Sequence, residues 1–294
     1  MHGTTAGLRD EALGRLDALA RERPEWRGWL GLLAEVEQYG RTDARPVHLA
    51  GAGSFAAGAG APLLQGRTIA IDLERATRLV RRLATLAVAE GSGGLRGGVA
   101  LAGYRPSGSE ILELLRRAMR QEASGTADPA AGGIDAGAVR AIGELAVRPL
   151  LRACAAVLEE HVPAQWRHGY CPICAAWPVL VEQRGLDRAR WARCGRCGGQ
   201  WRADWLRCVF CGEREHERLG SLVPEDGGEV LKLETCSTCH GYVKTVTTLQ
   251  AQSPLELLLR DVETLELDLI ALDRGYERPA PMFRLDVRLV EHST

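Results

Sequence analysis

Four C-x-x-C pairs constrain this chain more than any other feature: Cys171/Cys174, Cys194/Cys197, Cys208/Cys211 and Cys236/Cys239. Two cysteines at this spacing can aim both sulfurs at one point from a tight turn. Two such pairs complete a tetrahedron around Zn²⁺ or iron. Four pairs therefore specify two four-sulfur sites with no position left for a substrate. A lone C-x-x-C is equally well a redox dithiol, whereas four in one stretch point to metal. In chain order the spacings are C-x2-C-x19-C-x2-C and C-x2-C-x24-C-x2-C. The first falls in the zinc-ribbon range and the second a little beyond it. Cross-bracing, first pair with third and second with fourth, stays open. Sequential pairing is preferred, because each half then closes a ribbon of its own.

Disulfides are the competing use of these cysteines. The start of the sequence mixes acids and bases among its leucines and has no apolar signal-peptide core. A reducing, cytoplasmic setting is therefore expected, where thiols stay free for metal. No apolar run reaches the roughly eighteen residues of a membrane helix. Net charge is −1 and the pI about 6.7, so no overall field draws the chain to nucleic acid or anionic lipid. Five of the seven tryptophans (Trp166, Trp177, Trp191, Trp201, Trp205) fall in or just before the cysteine region. Small metal modules lack the volume for an ordinary core, and large aromatics around a metal knuckle substitute for one.

Before Tyr170 the patterning is helical. Residues 8–39 read as two helices, with Leu13, Leu16 and Ala20 on one face of the first. Pro24 starts the second, where Trp29, Leu33 and Val36 share a face. Residues 41–67 read as loop. Gly51, Gly53 and Ala56 imitate a dinucleotide fingerprint, but Gly58, Gly60 and Pro62 spoil the helix that motif requires. Ala61–Thr68 imitates a phosphate loop with Ala for its first Gly and Arg67 for its Lys, and is rejected. Asp72 can cap a helix to about Glu90, and Ser107 or Ser109 the next one. A long helical pattern from Asp135 to Glu160 carries Pro149 and a ninth cysteine, Cys154, read as a buried thiol on an apolar face. No catalytic triad or paired acids emerge.

After Tyr170 the chain changes to short β-branched and aromatic segments: 179–183, 190–193, 200–205, 217–222, 230–235 and 242–249. Gly198 and Gly212 follow their cysteine pairs and suit tight knuckles. Ala175 and His240 take that place in the other two. His240 could replace a cysteine as ligand, but four sulfurs already fill the site. From about Pro254 to Leu272 the pattern is helical again, with Leu258, Val262, Leu265, Leu269 and Leu272 on one face. The tail from Glu277 reads as irregular.

Several of these residues carry a family resemblance. Tyr170-Cys-Pro-Ile-Cys-Ala-Ala-Trp-Pro178, the pairs Cys194/Cys197 and Cys208/Cys211, Glu234-Thr-Cys-Ser-Thr-Cys239, Tyr242-Val-Lys244, and Asp261, Leu267-Asp268 and Gly275-Tyr276 resemble the FdhE family, accessory proteins of formate dehydrogenase. The resemblance spans roughly residues 165–280. It implies a cytoplasmic accessory protein that binds the catalytic subunit of formate dehydrogenase during maturation. It also implies a helical domain followed by two rubredoxin-like modules, with iron as the metal and the eight paired cysteines as ligands. Ala175 departs from the glycine often found in the first knuckle of that family.

The expected fold is α+β and multidomain. An all-helical domain (1–165) precedes two small four-cysteine modules, rubredoxin-like or zinc-ribbon (166–205 and 206–252), then a C-terminal helix and tail (253–294). The expected function is non-enzymatic, with two four-cysteine sites, structural or redox-sensing, that hold iron or alternatively zinc. No small-molecule substrate, membrane or nucleic acid is expected as partner. Two alternatives compete. One is electron transfer through an iron site. The other is a zinc-ribbon nucleic-acid binder that uses Arg184, Arg188, Arg190, Arg193, Arg196, Arg202 and Arg207, although acids are interleaved among them.

Overall fold

The computed structural model describes residues 3–42, 48–50, 60–89, 101, 103–122, 135–224 and 230–292. The glycine-rich fingerprint imitation at Gly51, Gly53 and Ala56 lies outside them. The chain divides into two compact units, one made of residues 1–53, 64–157 and 285–294, the other of 54–63 and 158–284.

The first unit is mainly helical. Helix α1 (Gly3–Glu22) leads through a single 3-10 turn at Pro24–Trp26 into α2 (Arg27–Thr42). Proline suits that position because its missing N–H falls among donors that a helix start leaves unpaired. Leu33 and Val36 of α2 are buried as expected, together with Leu30, whereas Trp29 on the expected face is exposed. Helix α3 (Leu73–Ala89) starts where Asp72 Oδ1 accepts from Arg75 N at 2.9 Å. Helix α4 (Gly108–Met119) opens with a reciprocal capping box between Ser107 and Glu110. At α5 (Ala136–Leu158) Asp135 accepts from Gly137 N and Ala138 N, and Pro149 lies inside the helix. Cys154 is fully buried.

This unit is not all-helical. It contains β1 (His48–Ala50) and β2 (Thr68–Ile71), and β2 pairs in parallel with β9 (Arg288–Glu291), a strand from the tail expected to be irregular. Four residues, Thr-Ile-Ala-Ile, are too short to signal a strand by periodicity, and their partner lies far along the chain.

The second unit is built on one six-stranded sheet. Its strands are β3 (Leu180–Arg184), β4 (Ala189–Arg193), β5 (Gln200–Arg202), β6 (Leu219–Leu222), β7 (Leu231–Cys236) and β8 (Tyr242–Thr248), in spatial order β5-β4-β3-β8-β7-β6. The two expected ribbons are visible as β3-β4-β5 and β6-β7-β8, each antiparallel throughout. They are fused: β3, first of its ribbon, runs parallel to β8, last of the other, from Leu180↔Lys244 to Arg184↔Thr248. Strands β3 and β8 occupy the centre of the sheet, and their burial approaches the continuous kind typical of strands covered on both faces.

Helix α6 (Pro254–Glu263) begins with a Ser253/Glu256 capping box, and Leu257 packs on Leu180 and Val246. Thr264 then breaks the helix before α7 (Leu265–Asp273), its Oγ1 donating to the Arg260 carbonyl at 2.6 Å. The break shifts the phase of the inward face. Leu267 and Ala271 are buried against Leu233 and Tyr242, while Leu269 and Leu272, expected inward from an unbroken pattern, are exposed.

Candidate metal centres

All four cysteine pairs are shaped by the same local fold. In each knuckle the N–H of the first cysteine donates to the carbonyl five residues on: Cys171 to Ala176 at 2.8 Å, Cys194 to Gly199 at 2.9 Å, Cys208 to Glu213 at 2.9 Å and Cys236 to Gly241 at 3.0 Å. Closing so tight a loop requires a left-handed residue just after the second cysteine. Gly198 (φ +77°), Gly212 (φ +79°), Ala175 (φ +62°) and His240 (φ +53°) supply it. Glycine adopts this conformation freely, whereas a residue with a Cβ is penalised by roughly 1–2 kcal/mol. Ala175→Gly is therefore expected to stabilise the protein by about 0.5–1 kcal/mol once glycine's greater unfolded-state freedom is subtracted. A urea unfolding midpoint equal to or below that of the parent would contradict this.

The knuckles meet in twos, first with second and third with fourth. Cys171, Cys174, Cys194 and Cys197 form one cluster and Cys208, Cys211, Cys236 and Cys239 the other, all ligand atoms of each lying within 4.8 Å of one another. Across the first cluster Cys171–Cys197 and Cys174–Cys194 sulfurs stand 3.5 Å apart. Across the second, Cys208–Cys239 and Cys211–Cys236 are 3.7 Å apart. Tetrahedral bonds of about 2.3 Å to zinc or iron give sulfur edges of about 3.8 Å, so both clusters could close on an ion with small adjustments. Backbone N–H groups already turn toward the sulfurs, from Ile173 to Cys171 and from Phe210 to Cys208 at 3.4 Å, and from Gly199 to Cys197 at 3.4 Å. Such bonds orient thiolates and offset their charge.

As free thiols the first four sulfurs are electrostatically uneven. Hydrogen bonds from Cys171, then from Cys174 and Cys197, pull Cys194 well below the ordinary thiol range, while burial pushes Cys171 well above it. A bound cation would favour the thiolate at all four.

The surroundings of the two clusters differ. The first is closed by Ile173, by Val179, which meets Gly195, and by Pro254 at the start of α6, which meets Gly198. At the second, the Glu213 carboxylate ties the third knuckle to the fourth. It accepts from Arg214 N at 2.8 Å, from Glu215 N at 3.0 Å and from Thr238 Oγ1 at 2.7 Å. The first two bonds are to backbone, and together the three hold its carboxyl at a pKa of about 2. Aromatic packing joins the modules: Trp177 after the first knuckle meets Phe210 inside the third edge-on at 5.3 Å. Gly169 lies so close to the Val209 carbonyl that an added Cβ would stand 1.6 Å from it, so only glycine fits there. His240 is a turn residue, its carbonyl accepting from Glu277 N at 2.8 Å, and it belongs to neither cluster.

Several arginines of the cysteine region are already engaged within the protein. Arg193 and Arg184 bind the fully buried Glu182 at 2.6 and 2.5 Å, buried Arg190 pairs with Glu234, and Arg207 pairs with Asp204 at 3.1 Å. Arg184 and Arg202 also lie against the Trp191 ring, 4.9 and 5.2 Å from its centre. A phosphate-binding surface would need such groups displayed to solvent.

A network that spacing alone did not reveal lies behind the second module. Lys244 on β8 is 1% exposed. Its Nζ reaches Asp261 Oδ1 at 2.5 Å and Asp268 Oδ2 at 2.7 Å, and donates to the Asp261 carbonyl at 2.8 Å. Tyr242 Oη donates to Asp268 at 2.7 Å, and Arg278 adds a contact to Asp268 at 3.0 Å. Tyr242, Lys244, Asp261 and Asp268 are among the non-cysteine residues on which the family resemblance rests, and they lock β8 to α6 and α7.

Comparison with known proteins places these features. The family description "FdhE, C-terminal domain" matches residues 206–285. A protein named Protein FdhE homolog from Stutzerimonas stutzeri is 36% identical over 114 residues, covering 38% of this chain and 36% of that protein. A second of that name from Pseudomonas aeruginosa is 31% identical over 119 residues, covering 38% of each. The matched stretch is thus little more than a third of the length of these curated relatives. The crystal structure of the FdhE protein from Pseudomonas aeruginosa superposes with a TM-score of 0.58 at 23% identity, over 93% of this chain and 94% of that one. The fold is therefore shared along nearly the whole length.

Proposed function

We propose, for a chain that belongs to the FdhE family, that it is an accessory protein of formate dehydrogenase. In this reading it binds the catalytic subunit of that enzyme during maturation and catalyses no reaction itself. The observation that carries the reading is the family match over residues 206–285, which contains the second cysteine cluster and the Lys244 network. Among the described residues no helix is long and apolar enough to cross a membrane, in keeping with the cytoplasmic setting proposed for such a role.

In the same reading, Cys171, Cys174, Cys194 and Cys197 hold one metal ion and Cys208, Cys211, Cys236 and Cys239 a second. Iron is the ion implied by the family resemblance, and zinc suits the same four-sulfur sets. The ion supplies cross-linking that modules of this size cannot obtain from apolar burial alone. Four protein ligands fill a tetrahedron, which favours a structural or electron-carrying centre over a catalytic one.

The test is deletion of the gene in a host that makes formate dehydrogenase, paired with co-purification of the catalytic subunit on the tagged chain. Loss of formate dehydrogenase activity, restored by the chain, together with capture of the subunit is expected. Unchanged activity and no capture would overturn the accessory role. Metal content and the visible spectrum of oxygen-free protein address the centres separately. Two irons with thiolate charge-transfer bands on oxidation, or two zincs without them, agree with the ligand assignment, and a folded metal-free chain refutes it.

A further inference from the structure

We infer that the two cysteine clusters are inequivalent: the first is a sealed structural centre, and the second is an exchange site, open to soft ligands of the thiol class at its Cys211–Cys239 edge. The inference rests on the reading of both clusters as metal ligands and goes beyond it by dividing their roles.

Burial separates them first. Every sulfur-bearing residue of the first cluster is buried, Cys171, Cys174 and Cys194 completely and Cys197 at 2% exposure. In the second, Cys208 and Cys236 are buried, Cys239 is half-buried and Cys211 is exposed. The two more accessible members come from different knuckles, so one edge of the tetrahedron faces solvent.

The surrounding cavities give an independent observation. A cavity of about 140 Å³ has Cys208 and Cys211 in its wall, together with Trp166, His168 and Arg207. A second, of about 220 Å³, also has Cys208 in its wall, together with Trp205 and Val243. Neither is lined by a cysteine of the first cluster. Both cavities thus border the second cluster at Cys208, and the first of them also reaches Cys211. The chain closes over the first with Ile173, Val179 and Pro254.

Chemistry turns this access into a function. Ligand exchange at a four-thiolate centre needs an incoming donor to approach as one cysteine leaves, without any change of oxidation state. The departing thiolate takes up a proton or stays ionised, and the incoming thiolate or chelator takes its place. Cys211 can leave toward solvent, whereas any cysteine of the first cluster would have to leave into packed side chains. The wall of the 140 Å³ cavity carries Arg167 and Arg202 beside the Arg207–Asp204 pair, a net positive set that suits an anionic thiol better than a cationic one.

The experiment uses the intact chain loaded with two equivalents of Zn²⁺ and challenged with a chromogenic chelator, with glutathione as the anionic thiol and cysteamine as a cationic control. Thiols are alkylated at timed intervals and mapped by mass spectrometry. One equivalent is expected to leave on the order of tenfold or more faster than the other, with Cys211 and Cys239 labelled during the fast phase. Glutathione is expected to accelerate that phase more than cysteamine does. Simultaneous loss of both equivalents, or early labelling of Cys171, Cys174, Cys194 or Cys197, would overturn the inference while leaving the ligand reading intact. A chain that never retains two equivalents, with four thiols freely alkylated from the start, overturns the ligand reading for that cluster and this inference with it.

Discussion

Replacing Lys244 with methionine is expected to cost the sheet-bearing unit about 3–5 kcal/mol, the range for removing one partner from a buried ion pair. The methionine chain fills much of the volume of the lysine stem, so packing is largely kept and the loss is mainly electrostatic. Two carboxylates, Asp261 and Asp268, lose the buried cation that meets both at short range, and Arg278 remains at 3.6 and 3.0 Å from them. The measurement is the midpoint of urea unfolding followed by tryptophan fluorescence, since most of the tryptophans lie in this unit. A midpoint within error of the parent would show that Arg278 suffices. The pH dependence carries the same signature. Burial pushes Asp268 up, but Lys244, Arg278 and the Tyr242 hydroxyl outweigh it and hold the carboxyl below its ordinary value. A depressed folded pKa stabilises above the unfolded value of about 3.9, and that contribution is lost as pH falls through the folded one. The parent should therefore lose stability steeply in that acid range, and the methionine variant less steeply.

The second large effect is expected from Cys194→Ser. Removing one ligand of a four-cysteine site is expected to release its metal. The apparent binding free energy of structural zinc sites, roughly 10–16 kcal/mol, is comparable with the whole stability of a domain. Two independent ribbons would confine the damage to residues near the first cluster. The shared sheet predicts otherwise, because β3 pairs with β8 along five residues at its centre. Loss of the first centre should loosen β8 and, through it, Lys244 and the second ribbon. Metal content is expected to halve, and amide exchange in β8 to rise together with that in β3 and β4. Faster exchange restricted to β3, β4 and β5 would mean that the ribbons are energetically separate.

Much of this second unit is legible in the sequence. Cysteine spacing identifies the eight residues that cluster, and the sequential grouping is the one observed. All six strand segments are present, shifted by a few residues at most at their ends, because β-branched and aromatic runs bounded by knuckles leave few alternatives. Pro24, Asp72 and Ser107 mark helix starts for reasons local to a few residues. Non-local features were not legible. The β3–β8 seam joins segments about sixty residues apart with no short-range signal. Nothing in the alternation of Tyr242–Leu249 distinguishes an edge of its own ribbon from the middle of a larger sheet. The break at Thr264 was hidden because threonine is tolerated in helices, and the leucines beyond it continue an apolar pattern that the turned face no longer uses. Lys244 reads as an ordinary polar residue in an alternating strand. Only the acids placed by α6 and α7 make its burial intelligible.

The pairing of β2 with β9 bears on how the chain is made. Strand β2 is synthesised early, and its parallel partner Arg288–Glu291 follows the entire cysteine-bearing unit. On a ribosome, residues 158–284 emerge with both cysteine clusters while the unit that precedes them still has an unpaired strand edge. Completion of the earlier unit is thus deferred until residues 285–291 have been translated. A nascent chain stalled before residue 285, or a product clipped there, would carry both cysteine clusters yet present Thr68–Ile71 as an open edge. Closure of the β2 edge is accordingly tied to residues that follow the whole cysteine-bearing unit in the chain.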